Sequence, residues 1–184
     1  QLYTEHSFAY SAHQTVWKDA SPLTADEVRE LSRYCRALGI ELVPNQNSFG
    51  HMERWLQHPE YTHLAESPEG FYDPWGQFRS ASSTLSPVAE GALLFLSGLY
   101  DELLPCFESD YLNIGGDEPW ELGKGRSKQQ CEREGLDRLY FYFLMKIYAL
   151  ARSKGKRVQI YGDIIMKYPH LIQELDRKST RLNS

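Results

Sequence analysis

A chain of 184 residues, 41% of them hydrophobic, is long enough to build one domain with a real core and too apolar to stay disordered. Its net charge is −5 and its basic residues do not cluster; phosphate binding needs a positive face, so nucleic acid is not the expected partner. No run of 18 apolar residues occurs, so a membrane is not expected either.

The elements are predicted in chain order. Leu2-Tyr-Thr-Glu-His-Ser-Phe8 reads as a strand running into a loop. Residue 1 is not Met and no signal pattern follows, so targeting is not legible, and the expectation is that an earlier strand precedes Leu2. Thr24 with Glu27 three residues on is a capping box. Val28, Leu31, Cys35 and Leu38 follow at helical spacing, and Gly39 suits the helix end. Ile40–Val43 is a predicted strand leading into the polar loop Pro44–His51, with a short helix near Met52–Gln57. Residues 58–85 are rich in Pro, Gly and Ser and read as a long loop, a class of segment that often carries function.

Ser86-Pro87 is expected to start the next helix, whose apolar face runs Leu93, Leu96, Leu99, Tyr100, Leu103 and Leu104. Tyr111–Ile114 is a strand ending in Gly115-Gly-Asp-Glu-Pro119. One long helix is predicted over about 127–154, then a strand at Arg157–Tyr161 and a helix at Tyr168–Leu175. Alternating strands and helices imply an α/β fold with a parallel sheet. Each strand ends in polar residues: Glu5-His6, Asn45-Gln46-Asn47, Asp117-Glu118, and Tyr161 with Asp163. Four polar strand ends in succession suit the shared mouth of a (β/α)8 TIM barrel. A complete barrel takes about 250 residues, so about four βα units make it incomplete, approximately strands 2 to 5. Residues 1–176 are read as this partial catalytic barrel. Arg177-Lys-Ser-Thr-Arg-Leu-Asn-Ser184 resembles a translated adapter read-through, and 177–184 is set apart as a non-native tail. Half a barrel exposes sheet edges, so these residues alone are not expected to form a stable enzyme.

No cofactor is called for. No Gly-x-Gly-x-x-Gly follows a strand, which disfavours a dinucleotide fold. His13, His58, His63 and His170 lack the spacing of a helical metal site, and Cys35, Cys106 and Cys131 show no zinc pattern, so no metal is expected. Lys124 and Arg126 read as a solvated loop.

The chemistry concentrates at Asp117-Glu118. Past a strand end, glycines free the backbone, so both carboxylates can turn toward one site. Two close carboxylates resist ionising together, which leaves an acid beside an anion. That pairing is what glycoside cleavage requires.

The stretch Asn113-Ile-Gly-Gly-Asp-Glu118 resembles the His-x-Gly-Gly/Ala-Asp-Glu signature of glycoside hydrolase family 20, the β-N-acetylhexosaminidases. Tyr3–Phe8 resembles the family's second barrel strand, Pro44–His51 the third strand end, and Val158–Asp163 the fifth. The likeness spans about residues 1–176, about half of a family catalytic domain. The resemblance implies a terminal N-acetylhexosamine in a glycan or glycoside as substrate. It also implies that the substrate's own 2-acetamido oxygen attacks the anomeric carbon, an exception to the two-carboxylate scheme. Asp117 would orient the acetamido group, and Glu118 would protonate the leaving oxygen and then activate water. The resemblance also implies that His51 contacts the sugar, the alternative being a loop-packing histidine, and that Tyr161 stands in the wall of the acetamido pocket. Glu5 and His6 are read as substrate-binding residues or as a local strand-end pair, Asn47 and Asp163 as substrate-binding candidates at their strand ends, and Trp120 as wall or rim. Two positions depart from the pattern: Asn113 stands for the signature His, and Tyr161 where Trp is frequent. They motivate an alternative, a carbohydrate-binding pseudoenzyme on the same barrel. A further alternative is a barrel glycosidase with a classical carboxylate nucleophile.

Overall fold

The computed structural model describes residues 1–5 and 7–174. His6 and the tail 177–184 lie outside the described residues. Four strands form one parallel sheet: β1 (Leu2–Tyr3), β2 (Pro44–Asn45), β5 (Tyr111–Asn113) and β6 (Arg157–Gln159), in that spatial order. Between β1 and β2 lie α1 (Gln14–Trp17) and α2 (Ala25–Ala37). Between β2 and β5 lie α3 (Glu53–Leu56), a hairpin of β3 (Phe71–Tyr72) and β4 (Phe78–Arg79), and α4 (Ala92–Leu103). Between β5 and β6 run α5 (Lys128–Glu134) and α6 (Leu136–Ser153). The fold is therefore α/β with a parallel sheet. No described helix is long and apolar enough to cross a membrane.

Period-two patterning explains which face of the sheet meets the helices. Leu112 and Ile114 are buried in the apolar core with Leu96, Leu99, Phe143 and Ile147 of α4 and α6. Between them, Asn113 belongs to a polar row: its Nδ2 donates to Gln1, and Gln1 donates to Gln159. The capping box forms as expected, with the Thr24 hydroxyl accepting from the Glu27 N–H and the Glu27 carboxylate accepting from the Thr24 N–H.

Several boundaries differ from the sequence expectation. The first strand is only Leu2–Tyr3. The second lies at Pro44–Asn45 rather than Ile40–Val43, because ladder partners are met only from the Val43 carbonyl onward. Ser86 does not open a helix: its hydroxyl donates to the buried Glu66 and its N–H to Leu64, so α4 begins after Gly91, whose φ is 89°. The helix expected over 127–154 is two helices, broken at Gly135, whose φ of 91° and ψ of 152° only glycine adopts readily. The last strand stops at Gln159, and residues 169–174 are helical. The 58–85 segment is not a plain loop, since it carries a 3-10 turn at Thr62–Leu64 and the β3–β4 hairpin.

Candidate active site

The C-terminal ends of β1, β2 and β5 converge on one imidazole. Gly115 and Gly116, with φ of 74° and 97°, turn the chain after β5. The Asn113 side chain supports the turn by accepting from the Gly115 N–H at 2.8 Å. Tyr140, buried in α6, donates to the Gly116 carbonyl at 2.8 Å and stacks on Phe49. Asp117 and Glu118 follow, with Glu118 at a φ of 46°, a left-handed conformation that is rare for such a residue. The loop after β2 presses against this turn. A Cβ on Gly50 would lie 2.3 Å from the Asp117 carbonyl oxygen, so only glycine permits the approach. His51 follows, also left-handed at a φ of 56°.

The His51 ring faces three carboxylates. Its Nε2 is 3.2 Å from Asp117 and 3.5 Å from Glu118, and its Nδ1 is 3.5 Å from Glu5. The hydrogen bond to Asp117, then the one to Glu5, raise its pKa to about 10 against the opposing effect of partial burial. The ring is thus an imidazolium at neutral pH, and both nitrogens donate. The ring lies between the two acids.

The two acids differ in setting. The Asp117 side chain is 20% exposed, and its Oδ1 is buried with no hydrogen-bond partner among the described residues. The Glu118 side chain is 42% exposed and opens onto a cleft of about 520 Å³ with Trp120, Phe71, Phe78 and Arg79 on its walls. On the sheet side, Asn47 donates to Tyr3 at 2.8 Å and Asn45 donates to the Tyr161 hydroxyl at 3.1 Å. The Oδ1 atoms of Asn45 and Asn47 are, like that of Asp117, buried acceptors without a partner among the described residues. Burial, and then Asp117, raise the Tyr161 pKa, and burial pushes Tyr3 to about 12, so both phenols remain donors at neutral pH.

Of the predicted site residues, Glu5, His51, Asp117 and Glu118 meet directly. Asn47 and Tyr161 stand beside them on the sheet side, and Trp120 on the cleft side. Asp163 is exposed in the turn beyond, acting on the Tyr140 phenol through its charge. The structure does not describe His6.

The glycosyl hydrolase family 20 catalytic domain matches residues 4–182. The chain belongs to this family. Hexosaminidase D of Bos taurus is 24% identical over 127 residues, covering 68% of this chain and 34% of that protein. Lacto-N-biosidase of Bifidobacterium bifidum is 28% identical over 153 residues, covering 78% of this chain and 13% of that protein. Among solved structures, a chitobiase of Flavobacterium johnsoniae superposes with a TM-score of 0.71 at 23% identity, covering 89% of this chain and 26% of that one. The chain thus spans about a third or less of the length of these relatives.

In this family 20 chain, sequence reasoning missed the groups that hold the site's outer wall. Glu121 is fully buried and its carboxylate accepts from the Ser82, Ser83 and Thr84 hydroxyls and from the Ser83 and Thr84 N–H groups. Glu66, also fully buried, accepts from the Ser86 and Ser127 hydroxyls and from the Gly125 and Ser127 N–H groups. Arg126 is exposed in a turn, as a solvated loop implies, and also donates to the Ala65 carbonyl at 2.9 Å. These bonds tie the 65–86 segment to the chain just after Glu118. The available signal was the cluster Ser80–Ser86, a run of hydroxyl donors with no local carboxylate to receive them.

Proposed function

We propose that this chain carries the catalytic pair of a β-N-acetylhexosaminidase that removes terminal β-linked N-acetylhexosamine with retention, using the substrate's acetamido oxygen as nucleophile. The observation that carries the reading is the asymmetry of the two acids. Asp117 gives one oxygen to the His51 imidazolium and keeps the other buried and, among the described residues, unpartnered. A buried acceptor left unpaired is destabilising by about 1–3 kcal/mol, so the site favours a ligand that brings a donor there. An acetamido N–H is such a donor, and accepting its bond aims the acetamido oxygen at the anomeric carbon. Alignment of this kind carries effective molarities of about 10⁵–10⁸ M. Glu118, open to the cleft, donates a proton to the departing oxygen and then takes one from water. Asn47 and Tyr161 wall the acetamido side, Glu5 and His51 hold the carboxylates in place, and Trp120 rims the leaving-group side. His6 and Asp163 are assigned to the edge of the mouth.

The parallel sheet is read as consecutive strands of a (β/α)8 barrel, approximately the second to the fifth. Its chain-order neighbours, its helix-covered apolar face and its opposite polar row support this, since a barrel packs side chains inside and helices outside. The names of the relatives, hexosaminidases among them, support the substrate class. Asn113 supports the turn through its side chain, so its replacement of the signature His does not by itself favour the pseudoenzyme reading.

The test uses the enzyme with its complete catalytic domain and an aryl N-acetyl-β-hexosaminide. Glu118→Gln is expected to lower kcat by about 10²–10⁴-fold. A thiazoline mimic of the cyclised intermediate is expected to inhibit the wild type and to bind Asp117→Asn far less tightly. Full activity in Glu118→Gln, or equal turnover of an aryl glycoside without the acetamido group, refutes the proposal.

A further inference from the structure

We infer that Glu121 is a positioning residue for Glu118, the anchor that fixes the proton donor in its place beside His51. The inference rests on the proposed function, in which Glu118 protonates the departing oxygen. Glu118 sits between β5, which ends at Asn113, and α5, which starts at Lys128, so no strand or helix holds its backbone. Its φ of 46° is a left-handed conformation, and a residue keeps such a backbone only where its surroundings over-determine it. The next residue is Pro119, which has no N–H to donate. The hold must come from farther along the chain.

Glu121 supplies it. The side chain is fully buried. Its Oε1 accepts from the Ser83 N–H at 2.6 Å, the Thr84 N–H at 2.8 Å and the Ser82 hydroxyl at 2.7 Å. Its Oε2 accepts from the Ser83 and Thr84 hydroxyls at 3.0 and 2.7 Å. All these donors come from one short segment distant in sequence. A core does not need such a group, since apolar side chains fill the same volume without desolvating a carboxylate. What the carboxylate provides is a fixed place for the stretch of chain that carries Glu118.

The same segment grips the loop after β2. The Met52 N–H donates to the Ser83 carbonyl and the Leu85 N–H to the Phe49 carbonyl, both at 2.9 Å, on either side of Gly50 and His51. Glu121 therefore holds the 82–85 segment from one side while Phe49 and Met52 hold it from the other. Glu118 and His51, 3.5 Å apart, ride on the two pieces of chain so joined. The two pieces also touch directly at Gly50, where a Cβ would lie 3.1 Å from the Glu118 carbonyl oxygen. A proton donor has to meet the glycosidic oxygen within hydrogen-bond reach, and misplacement by about 1 Å costs on the order of 10²-fold in rate. The other buried acid, Glu66, binds Ser86 and the 125–127 turn instead, farther from Glu118.

The experiment uses the enzyme with its complete catalytic domain and two aryl N-acetyl-β-glucosaminides. A dinitrophenyl group departs as the phenolate when the glycosidic C–O bond breaks, whereas a phenyl group takes a proton from Glu118 as it leaves. The readout is the ratio of kcat/KM for the phenyl substrate to that for the dinitrophenyl substrate, which a general loss of folded enzyme does not move. Glu118→Gln sets the scale and is expected to lower the ratio by about 10²-fold or more. Glu121→Asp, one methylene shorter, either leaves its donors or draws Glu118 toward them, and is expected to lower the ratio by about 10-fold. Glu121→Gln keeps the reach, and its amide nitrogen can donate to the Ser83 and Thr84 hydroxyls, so the ratio is expected to stay within about 3-fold of wild type. Thr84→Val removes one bond to Oε2 and is expected to lower the ratio by about 2- to 10-fold, and it decides the matter if Glu121→Asp fails to fold. Ser86→Ala, which takes a hydroxyl from Glu66, is expected to leave the ratio unchanged. Wild-type turnover of neither substrate, or an unchanged ratio in Glu118→Gln, refutes the function on which the inference rests. With that ratio shifted, an unchanged ratio in Glu121→Asp and Thr84→Val refutes the positioning role alone. A shift in Ser86→Ala or Glu121→Gln as large as in Glu121→Asp also refutes it, since the cause is then general loosening or lost charge.

Discussion

Replacing His51 tests the central electrostatic claim, that one imidazolium is held between the Asp117 and Glu5 carboxylates. His51→Asn is the informative change, because asparagine tolerates the left-handed backbone at this position and carries no charge. A rise in pKa from 6.5 to about 10 corresponds to roughly 5 kcal/mol at about 1.4 kcal/mol per unit. The His51 side chain is 24% exposed and its partners Glu5 and Asp117 25% and 20%, so solvent screening reduces the figure to about 2–3 kcal/mol. The sign follows from linkage. A pKa raised on folding means that the folded state holds its proton more tightly, so the stabilisation is complete below pH 6.5 and is lost as pH rises through about 10. The assay is denaturant unfolding of wild type and His51→Asn across that window. The stability difference is expected to be about 2–3 kcal/mol near pH 6 and to shrink steadily toward pH 10. A difference that stays constant with pH means that the ring is neutral and the claim is wrong.

Two further substitutions probe the frame of the site. Glu121→Ala leaves two backbone N–H groups and three hydroxyls without their acceptor in a buried position. It is expected to lose about 3 kcal/mol or more, a fall in Tm of roughly 6–12 °C by calorimetry; a loss under about 1 kcal/mol contradicts the anchoring role. Gly50→Ala drives a Cβ into the Asp117 backbone and is expected to lower kcat and to destabilise by about 1–3 kcal/mol. Gly98→Ala, in α4 with open space around the new methyl, is expected instead to stabilise by about 0.5–1 kcal/mol, and equal effects of the two in a denaturant melt would refute the steric assignment.

Local signals located the proposed catalytic pair and most of the helices. Thr24 and Glu27 cap α2 from within one turn. Leu112 and Ile114 mark a strand by alternation, and the two glycines before Asp117 mark its sharp end. These interactions close over a few residues, so the order of residues along the chain is enough to determine them. Gly135 shows the limit of periodicity: the apolar stripe starts only at Leu136, and the backbone conformation of Gly135 ends one helix and starts another.

The remainder depended on contacts across long stretches of chain. His51 was legible as a sugar contact, but its charge comes from Glu5 and Asp117, which lie 46 and 66 residues away. Nothing local marks Glu66 and Glu121, and only folding places the serine, threonine and glycine donors around them. The hairpin was hidden in a segment with no period, since two-residue strands leave almost no alternation to read. What the sequence by itself determined was the α/β order and the position of Asp117-Glu118 at a strand end. Only the tertiary structure decided that a cation joins the two acids and that one faces the sheet mouth while the other faces a cleft. Electrostatic environment depends on distances through space, and local patterning does not encode them.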